Sequence, residues 1–256
     1  MTKHRLNNII TLIGFILIIV LHFTINLSLW CLLPLILIHT AVVLYGVLNL
    51  DANYFFYTHT KGANSKKQIA LTFDDGPSLQ STEILQLLKE ENVKATFFCI
   101  GKNIAEYPNI FKQMDAGGHV LGNHSYYHHH NFNLQSANKV QAELEKTNDI
   151  IKQSIGKIPL LFRPPNGVSN PMLAKALKQT KLHSVGWNVR SFDTFYKNPE
   201  EIFNRIKDKI TNGSIILMHD TMPHTKILVS KLIKYAKEHN YTFVGVDEIL
   251  NLQAYE

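Results

Sequence analysis

From residue 9 to residue 48 the chain has no Asp, Glu, Lys or Arg. That absence excludes a water-facing surface for the stretch, because a contiguous apolar patch of such length has to be covered. Within it lie two apolar runs, 9–21 and 29–48. A membrane crossing needs about 20 apolar residues. The second run has that length alone, and the first reaches it with its flank out to residue 27. No small-x-small cleavage pattern follows the first run, and the second comes at once, which argues against a cleaved signal peptide. The expectation is a membrane hairpin. A single uncleaved anchor with a partly inserted first segment, and signal-type processing, are its alternatives.

Other absences narrow the class further. Only Cys31 and Cys99 occur, so there is no disulfide framework. No basic cluster is interleaved with exposed-type aromatics, which excludes nucleic acid as a partner. The net charge of +6 suits membrane phosphates or an anionic polymer instead. No internal repeat and no low-complexity tract is present.

The charges that do exist flank the apolar region. Lys3 and Arg5 precede it, Lys61, Lys66 and Lys67 follow it, and the connection 22–29 has no Lys or Arg. By the positive-inside rule a hairpin with this pattern keeps both ends in the cytoplasm. The organisation read from composition is 1–50 for the membrane segments (about 9–27 and 29–48), 51–65 for a linker, and 66–256 for one domain.

In that last segment short β-type runs alternate with helical periodicity. Strands are expected at 68–73, 95–100, 119–122, 160–163, 183–189, 214–218 and 241–246. Helices are expected at 82–91, 104–116, 136–155, 171–179, 199–210 and 226–239. Such alternation predicts an α/β fold with a parallel sheet, closed as a distorted or incomplete (β/α) barrel. Chemistry in barrels collects at the C-terminal ends of strands. The ionisable residues fall there: Asp74 and Asp75, His124 and His128, Arg163, Asp193 and His219.

Two adjacent Asp at a strand end are often just a turn, and a HxxxH in a His-rich loop is often just surface. Together they make a stronger pattern. His124 and His128, four apart, would share a face in a helical turn. With a carboxylate they form a His-His-Asp set with open positions, suited to Zn²⁺. One Asp can then hold metal while its neighbour acts as general base. Arg163 is expected to pair with the charge of that base. His129 and His130 are read as flanking polar residues.

Five blocks make the sequence resemble a known family: Leu71 to Pro77 (LTFDDGP), Gly122 to His128 (GNHSYYH), Phe162 to Gly167 (FRPPNG), Trp187 to Asp193 (WNVRSFD) and Ile216 to Asp220 (ILMHD). In this order they resemble the NodB-type polysaccharide deacetylases of carbohydrate esterase family four, from about residue 67 to 250. The resemblance implies metal-dependent removal of acetyl from an N-acetylated glycan. It implies Asp74 as catalytic base, with Asp75, His124 and His128 as ligands of one divalent ion, Zn²⁺ or alternatively Co²⁺ or Ni²⁺. It further implies His219 as general acid oriented by Asp193, and Arg163 as partner of the base. Leu217, Pro165, Asn166 and Trp187 would form the substrate pocket, with backbone N–H near Asn166 facing the oxyanion.

Three positions depart from the family pattern. Asn166 stands where many members have Tyr, Thr194 where Trp is usual, and Arg190 where Asp is common. The second would reshape the acetyl pocket, and the third would favour an anionic substrate. Alternatives are an esterase or deformylase acting on O-acetylated or lipid-linked sugars, and a catalytically silent glycan-binding module. The resemblance leans the domain to the outer side of a bacterial cytoplasmic membrane, against the charge pattern.

Overall fold

The computed structural model describes residues 1–63 and 65–256. Asn64, inside the expected linker, lies outside the described residues. The chain opens with α1 (Lys3–Ile25) and, after a 3-10 turn at Leu29–Cys31, α2 (Leu32–Leu48). By length and composition two helical stretches suffice to cross a membrane, Lys3–Ile25 and Leu29–Leu48. The helices are pinned together by polar groups. Thr11 Oγ1 and Asn7 Nδ2 lie 2.9 and 3.1 Å from His39 Nδ1.

The stretch expected as a linker is built into the fold. Tyr54 and Phe55 are buried, and β1 (Thr58–His59) pairs with a strand more than a hundred residues away.

The remaining strands are β2 (Gln68–Asp74), β3 (Thr96–Cys99), β4 (Val120–Asn123), β5 (Leu161–Phe162), β6 (His183–Val185), β7 (Val189–Arg190), β8 (Ile215–His219) and β9 (Thr242–Phe243). Between and after them run α3 (Ser81–Glu90), α4 (Gly101–Glu106), α5 (Pro108–Ala116), α6 (Ala137–Ile155), α7 (Pro171–Thr180), α8 (Pro199–Ile206), α9 (Thr225–Glu238) and α10 (Val246–Leu250). The sheet order is β1-β6-β5-β4-β3-β2-β8-β7, with β9 added to β2, and every strand pair is parallel. The two ends of this order, β1 and β7, do not pair, so the barrel is incomplete, as expected.

The strand β2 reads as an apolar run because both its faces are covered. Leu71 and Phe73 pack with Phe97, Leu121, Ile216 and Met218, under Leu88 of α3 and Leu228 and Leu232 of α9. Burying such a side chain contributes about 1.5–3 kcal/mol, and this face holds β2, β3, β4, β7 and β8 against the helices.

Several boundaries differ from expectation. The helix expected at 104–116 is two helices, because Pro108 lacks the N–H needed to continue one and instead starts α5. The strand expected at 183–189 is broken into β6 and β7. The strand expected at 241–246 stops at Phe243, and Val246 begins α10. The helix expected at 199–210 ends at Ile206 and tightens into a 3-10 turn at Lys207–Lys209.

Candidate active site

The strand β2 ends on Asp74, and Asp75 follows it with φ of 75°. Side chains alternate across an extended strand, so two adjacent Asp would otherwise face opposite ways. The left-handed turn at Asp75 ends that alternation, in a region that Asp tolerates better than most residues. Both carboxylates then approach the same imidazole. His124 Nε2 lies 3.8 Å from Asp74 Oδ2 and 3.5 Å from Asp75 Oδ1. His128 Nε2 lies 3.7 Å from the same Asp75 Oδ1.

His124 and His128 do not share a helical turn. The loop after β4 has Ser125 and His128 at positive φ, 62° and 51°. Side chains hold it in shape. Asn123 Oδ1 accepts from the Ser125 N–H, Ser125 Oγ from the His128 N–H, and Glu143 Oε2 from the Tyr127 N–H. The two imidazoles meet nonetheless, with ring centres 4.8 Å apart. His129 and His130 are exposed and lie outside this cluster.

One ligand-type atom from each of Asp75, His124 and His128 falls within 4.8 Å of the others. Two features fit this set to a cation. Asp75 Oδ1 is buried and has no hydrogen-bond partner, an expensive state for a carboxylate oxygen unless an ion fills it. His124 Nδ1 donates to the Arg163 carbonyl at 2.8 Å, which points Nε2 at Asp75. Burial opposes a charged ring, but Asp74 and Asp75 raise the His124 pKa, so a cation there would take the place of the Nε2 proton. Burial opposes ionisation of Asp75, yet His124, His219 and His128 together hold its pKa below the ordinary carboxylate value. His128 is shifted down, first by burial and then by the charge of His124, which favours the neutral form.

Arg163 is fully buried behind the cluster. Nη1 donates to Asp74 Oδ1 at 2.8 Å and to Thr72 Oγ1 at 2.7 Å, Nη2 to the Gly186 carbonyl at 2.8 Å, and Nε to the Val185 carbonyl at 3.2 Å. The guanidinium fixes Asp74 Oδ1 and leaves Oδ2 toward the His124 side.

On the neighbouring strand, His219 Nδ1 donates to Asp193 Oδ1 at 2.8 Å, and the His219 N–H donates to Asp193 Oδ2 at 2.7 Å. Ser191 Oγ adds a third bond to Asp193 at 2.9 Å. Burial alone would lower the His219 pKa. The Asp193 hydrogen bond and charge, helped by Asp74 and Asp75, outweigh it and raise the value to about 9.

The expected pocket residues gather on the same side. Leu217 is buried two residues before His219. Asn166 is exposed with φ of 60°, and its N–H has no acceptor among the described residues. Pro165 is buried. Gly167, at φ of 67°, lies so close to Trp187 that a Cβ there would meet the ring at 2.5 Å. Thr194 lines a cavity of about 480 Å³ with Asp193, Lys197, Pro199, Met222, Pro223, His224 and Ile227. None of Leu217, Pro165, Asn166 or Trp187 borders it, whereas Asp193, the partner of His219, does.

Sequence reasoning passed over Asp220 and Ser81. Asp220 is fully buried, accepts from Ser81 Oγ at 2.5 Å, and has its other oxygen unpartnered. Burial raises its pKa to about 7, with Asp75 adding to the rise against the Ser81 bond. Its position next to His219 was the available signal.

A family model described as polysaccharide deacetylase matches residues 61–185. The peptidoglycan-N-acetylglucosamine deacetylase PgdA of Listeria monocytogenes is 35% identical over 188 residues, covering 73% of this chain and 40% of that protein. The chain therefore spans about 40% of the length of that relative. A peptidoglycan-N-acetylglucosamine deacetylase of Bacillus cereus is 35% identical over 198 residues, 73% of this chain and 90% of that one. The crystal structure of the Bc1960 peptidoglycan N-acetylglucosamine deacetylase, in complex with 4-naphthalen-1-yl-N-oxidanyl-benzamide, superposes with a TM-score of 0.73 at 31% identity. It covers 78% of this chain and 95% of that chain.

Proposed function

This chain belongs to the polysaccharide deacetylase family, and on that premise we propose that it is a metal-dependent hydrolase removing acetyl groups from N-acetylated sugars of a glycan such as peptidoglycan or a chitin-like polymer. The observation that carries the reading is the pairing of Asp74, clamped on one oxygen by Arg163, with His219, clamped by Asp193, across one strand pair.

Asp75, His124 and His128 would hold the divalent ion, with Zn²⁺ the best match to the donor set and Co²⁺ or Ni²⁺ the alternatives. When bound, the ion supplies Lewis-acid polarisation of the acetamide carbonyl. The protein's own groups do the rest. Asp74 Oδ2 takes a proton from the water that adds to the carbonyl carbon. The free N–H of Asn166 faces the developing oxyanion. His219 Nε2 gives its proton to the sugar nitrogen as the C–N bond breaks, yielding acetate and an amine. Asp193 fixes the ring so that Nε2 is the exposed nitrogen, and Leu217, Pro165 and Trp187 enclose the acetyl methyl.

We place the domain at a membrane through α1 and α2, on the outer face of a bacterial cytoplasmic membrane. A reporter fused after Glu256 that works only in the cytoplasm would overturn that side.

The test is acetate release by the full chain in detergent, from N-acetylglucosamine oligomers and from peptidoglycan, with and without added Zn²⁺. Acetate that requires metal and disappears in Asp74→Asn supports the reading. Release of formate, or acetate only from O-acetylated glycans, would replace it. Bound metal with no turnover would make the chain a silent glycan-binding module.

A further inference from the structure

Outward from Arg163 the rim of the site continues as an alternation of rings and guanidinium groups. Arg163 lies 4.2 Å from the Phe98 ring centre and 5.6 Å from that of Trp187. Arg190 lies 5.6 Å from Trp187 and 4.8 Å from Phe192, and Arg205 lies 5.8 Å from Phe192 and 4.2 Å from Tyr196. The inner guanidinium makes four hydrogen bonds. The outer two are exposed, and neither has an ion pair or a hydrogen-bond acceptor for its guanidinium among the described residues. Stacking on rings orients a guanidinium while leaving its N–H edge open to a planar or tetrahedral anion. Arg190 is the register partner of Leu217. Its side chain therefore leaves the sheet on the face that carries Leu217 and His219.

The same rim rests on the end of the apolar hairpin. The Ser169 N–H donates to the Val47 carbonyl at 3.0 Å, and Ser169 Oγ donates to the Gly46 carbonyl at 2.8 Å, both in the last turn of α2. Leu50, just past α2, would touch a Cβ on Gly186 at 3.3 Å, and the Gly186 carbonyl is an Arg163 acceptor. Three peptide steps separate Ser169 from Asn166, at most about 11 Å of chain. Gly167 in between carries Trp187, and Trp187 carries Arg190. The catalytic mouth, the two open guanidinium groups and the end of α2 thus form one continuous border.

We propose that the site takes its N-acetylated sugar while the sugar is still joined through phosphate to a lipid in the bilayer, with Arg190 and Arg205 binding the phosphate. The inference rests on the deacetylase reading for the chemistry at the acetyl group and adds the carrier. A lipid-held sugar reaches this border by lateral diffusion, and its phosphates would meet the open edge of Arg190 beside Trp187 and that of Arg205 beyond Phe192. A neutral polymer strand would leave both arginines unengaged. The groups that could oppose an anion are Asp193, already held by His219 and Ser191, the carboxylates of the metal cluster, and Glu200 and Glu201 in the first turn of α8, of which Glu200 is paired with Lys231.

The test uses the full chain in phosphatidylcholine nanodiscs with three forms of N-acetylglucosamine: a neutral oligomer, a soluble methyl diphosphate, and the same sugar on a polyisoprenyl diphosphate inserted in the disc. The expected order of kcat/KM is lipid-held, then soluble diphosphate, then neutral, at least tenfold from first to last. In a chain with Arg190→Gln and Arg205→Gln, the ratio of diphosphate to neutral should fall at least tenfold, through KM. An unchanged ratio would overturn the phosphate subsite. Equal rates on soluble and lipid-held diphosphate would overturn the lipid carrier. If the unmodified chain releases acetate from none of them, the deacetylase reading itself fails. Binding then decides the subsite: calorimetric titration with the non-acetylated glucosamine methyl diphosphate should lose at least tenfold in affinity in the double variant, and equal affinity would sink it.

Discussion

Asp74 and His219 are register partners on neighbouring parallel strands, β2 and β8. Adjacent strands lie about 4.8 Å apart, so two groups assigned opposite proton-transfer roles rise side by side from the floor of the site. Each is gripped from behind by a partner of opposite charge, Arg163 and Asp193 respectively.

Removing either group should slow the reaction and, by leaving buried Arg163 or Asp193 without its partner, also lower stability. Asp74→Asn and His219→Ala should each reduce kcat by about 100- to 10,000-fold, the usual range for a positioned acid or base. Because the two act as a unit on one reaction, the double variant should be little slower than the worse single one. Initial rates of acetate release check this.

The pH profile follows from His219. Its folded pKa of about 9 stands above the ordinary 6.5, so the stabilisation that protonation brings is complete below about pH 6.5 and disappears as pH rises through about 9. Activity that needs the protonated ring should fall on the same alkaline limb. Replacing Asp193 by Asn should move that limb toward lower pH and flatten the stability difference between pH 6 and pH 10. Denaturant titrations and rate profiles over that window read both effects.

Arg163→Met should be among the most damaging single changes. It leaves the buried Asp74 carboxylate without its counter-charge, a loss of about 3–5 kcal/mol when one partner of a buried pair is removed. Arg163→Lys should recover only part of it, since an ammonium cannot reach acceptors on Thr72, Asp74, Val185 and Gly186 together. Thermal melts of the three chains order them.

Chelation should abolish acetate release, and added Zn²⁺ should restore it. Asp75→Asn should weaken metal binding by about 100-fold or more while the fold survives, because it removes the negative charge from the one carboxylate of the ligand set, whose Oδ1 has no other partner. Metal titration by calorimetry measures this without reference to turnover.

Gly76→Ala should be destabilising by about 1–3 kcal/mol through overpacking. A Cβ there would lie 2.1 Å from Asp220 Oδ2, and neither the buried carboxylate nor the turn has room to retreat. A urea melt decides it.

The strand ends were legible in sequence because a two-sided buried strand is a nearly pure apolar run, and the charged residue that ends it is conspicuous. Asp74, Arg163 and His219 could be picked out for that reason. The HxxxH spacing pointed to two imidazoles that the fold does bring together, but by a different geometry. Four residues apart suggested a helical turn, whereas the loop is shaped by Asn123, Ser125 and Glu143, whose side chains bond to backbone N–H groups. Two of these bonds are local turn contacts and the third comes from α6, 16 residues on from Tyr127, and none leaves a periodic trace. Stretch 51–65 was misread for a related reason. Polar, turn-forming residues suggested a tether, and the two-residue strand Thr58–His59 is too short to show a pattern, its partner being near residue 184. Asp220 was hidden by the brighter His219 beside it.

The four bonds of the Arg163 guanidinium reach residues 72, 74, 185 and 186, so its charge is neutralised only when segments more than a hundred residues apart have already docked. A chain that has formed half of the sheet still carries an unquenched cation in its interior, which penalises partly assembled states relative to both the native and the open chain. Refolding should therefore be steeply cooperative, and catalytic competence should return in step with the last sheet contact rather than ahead of it.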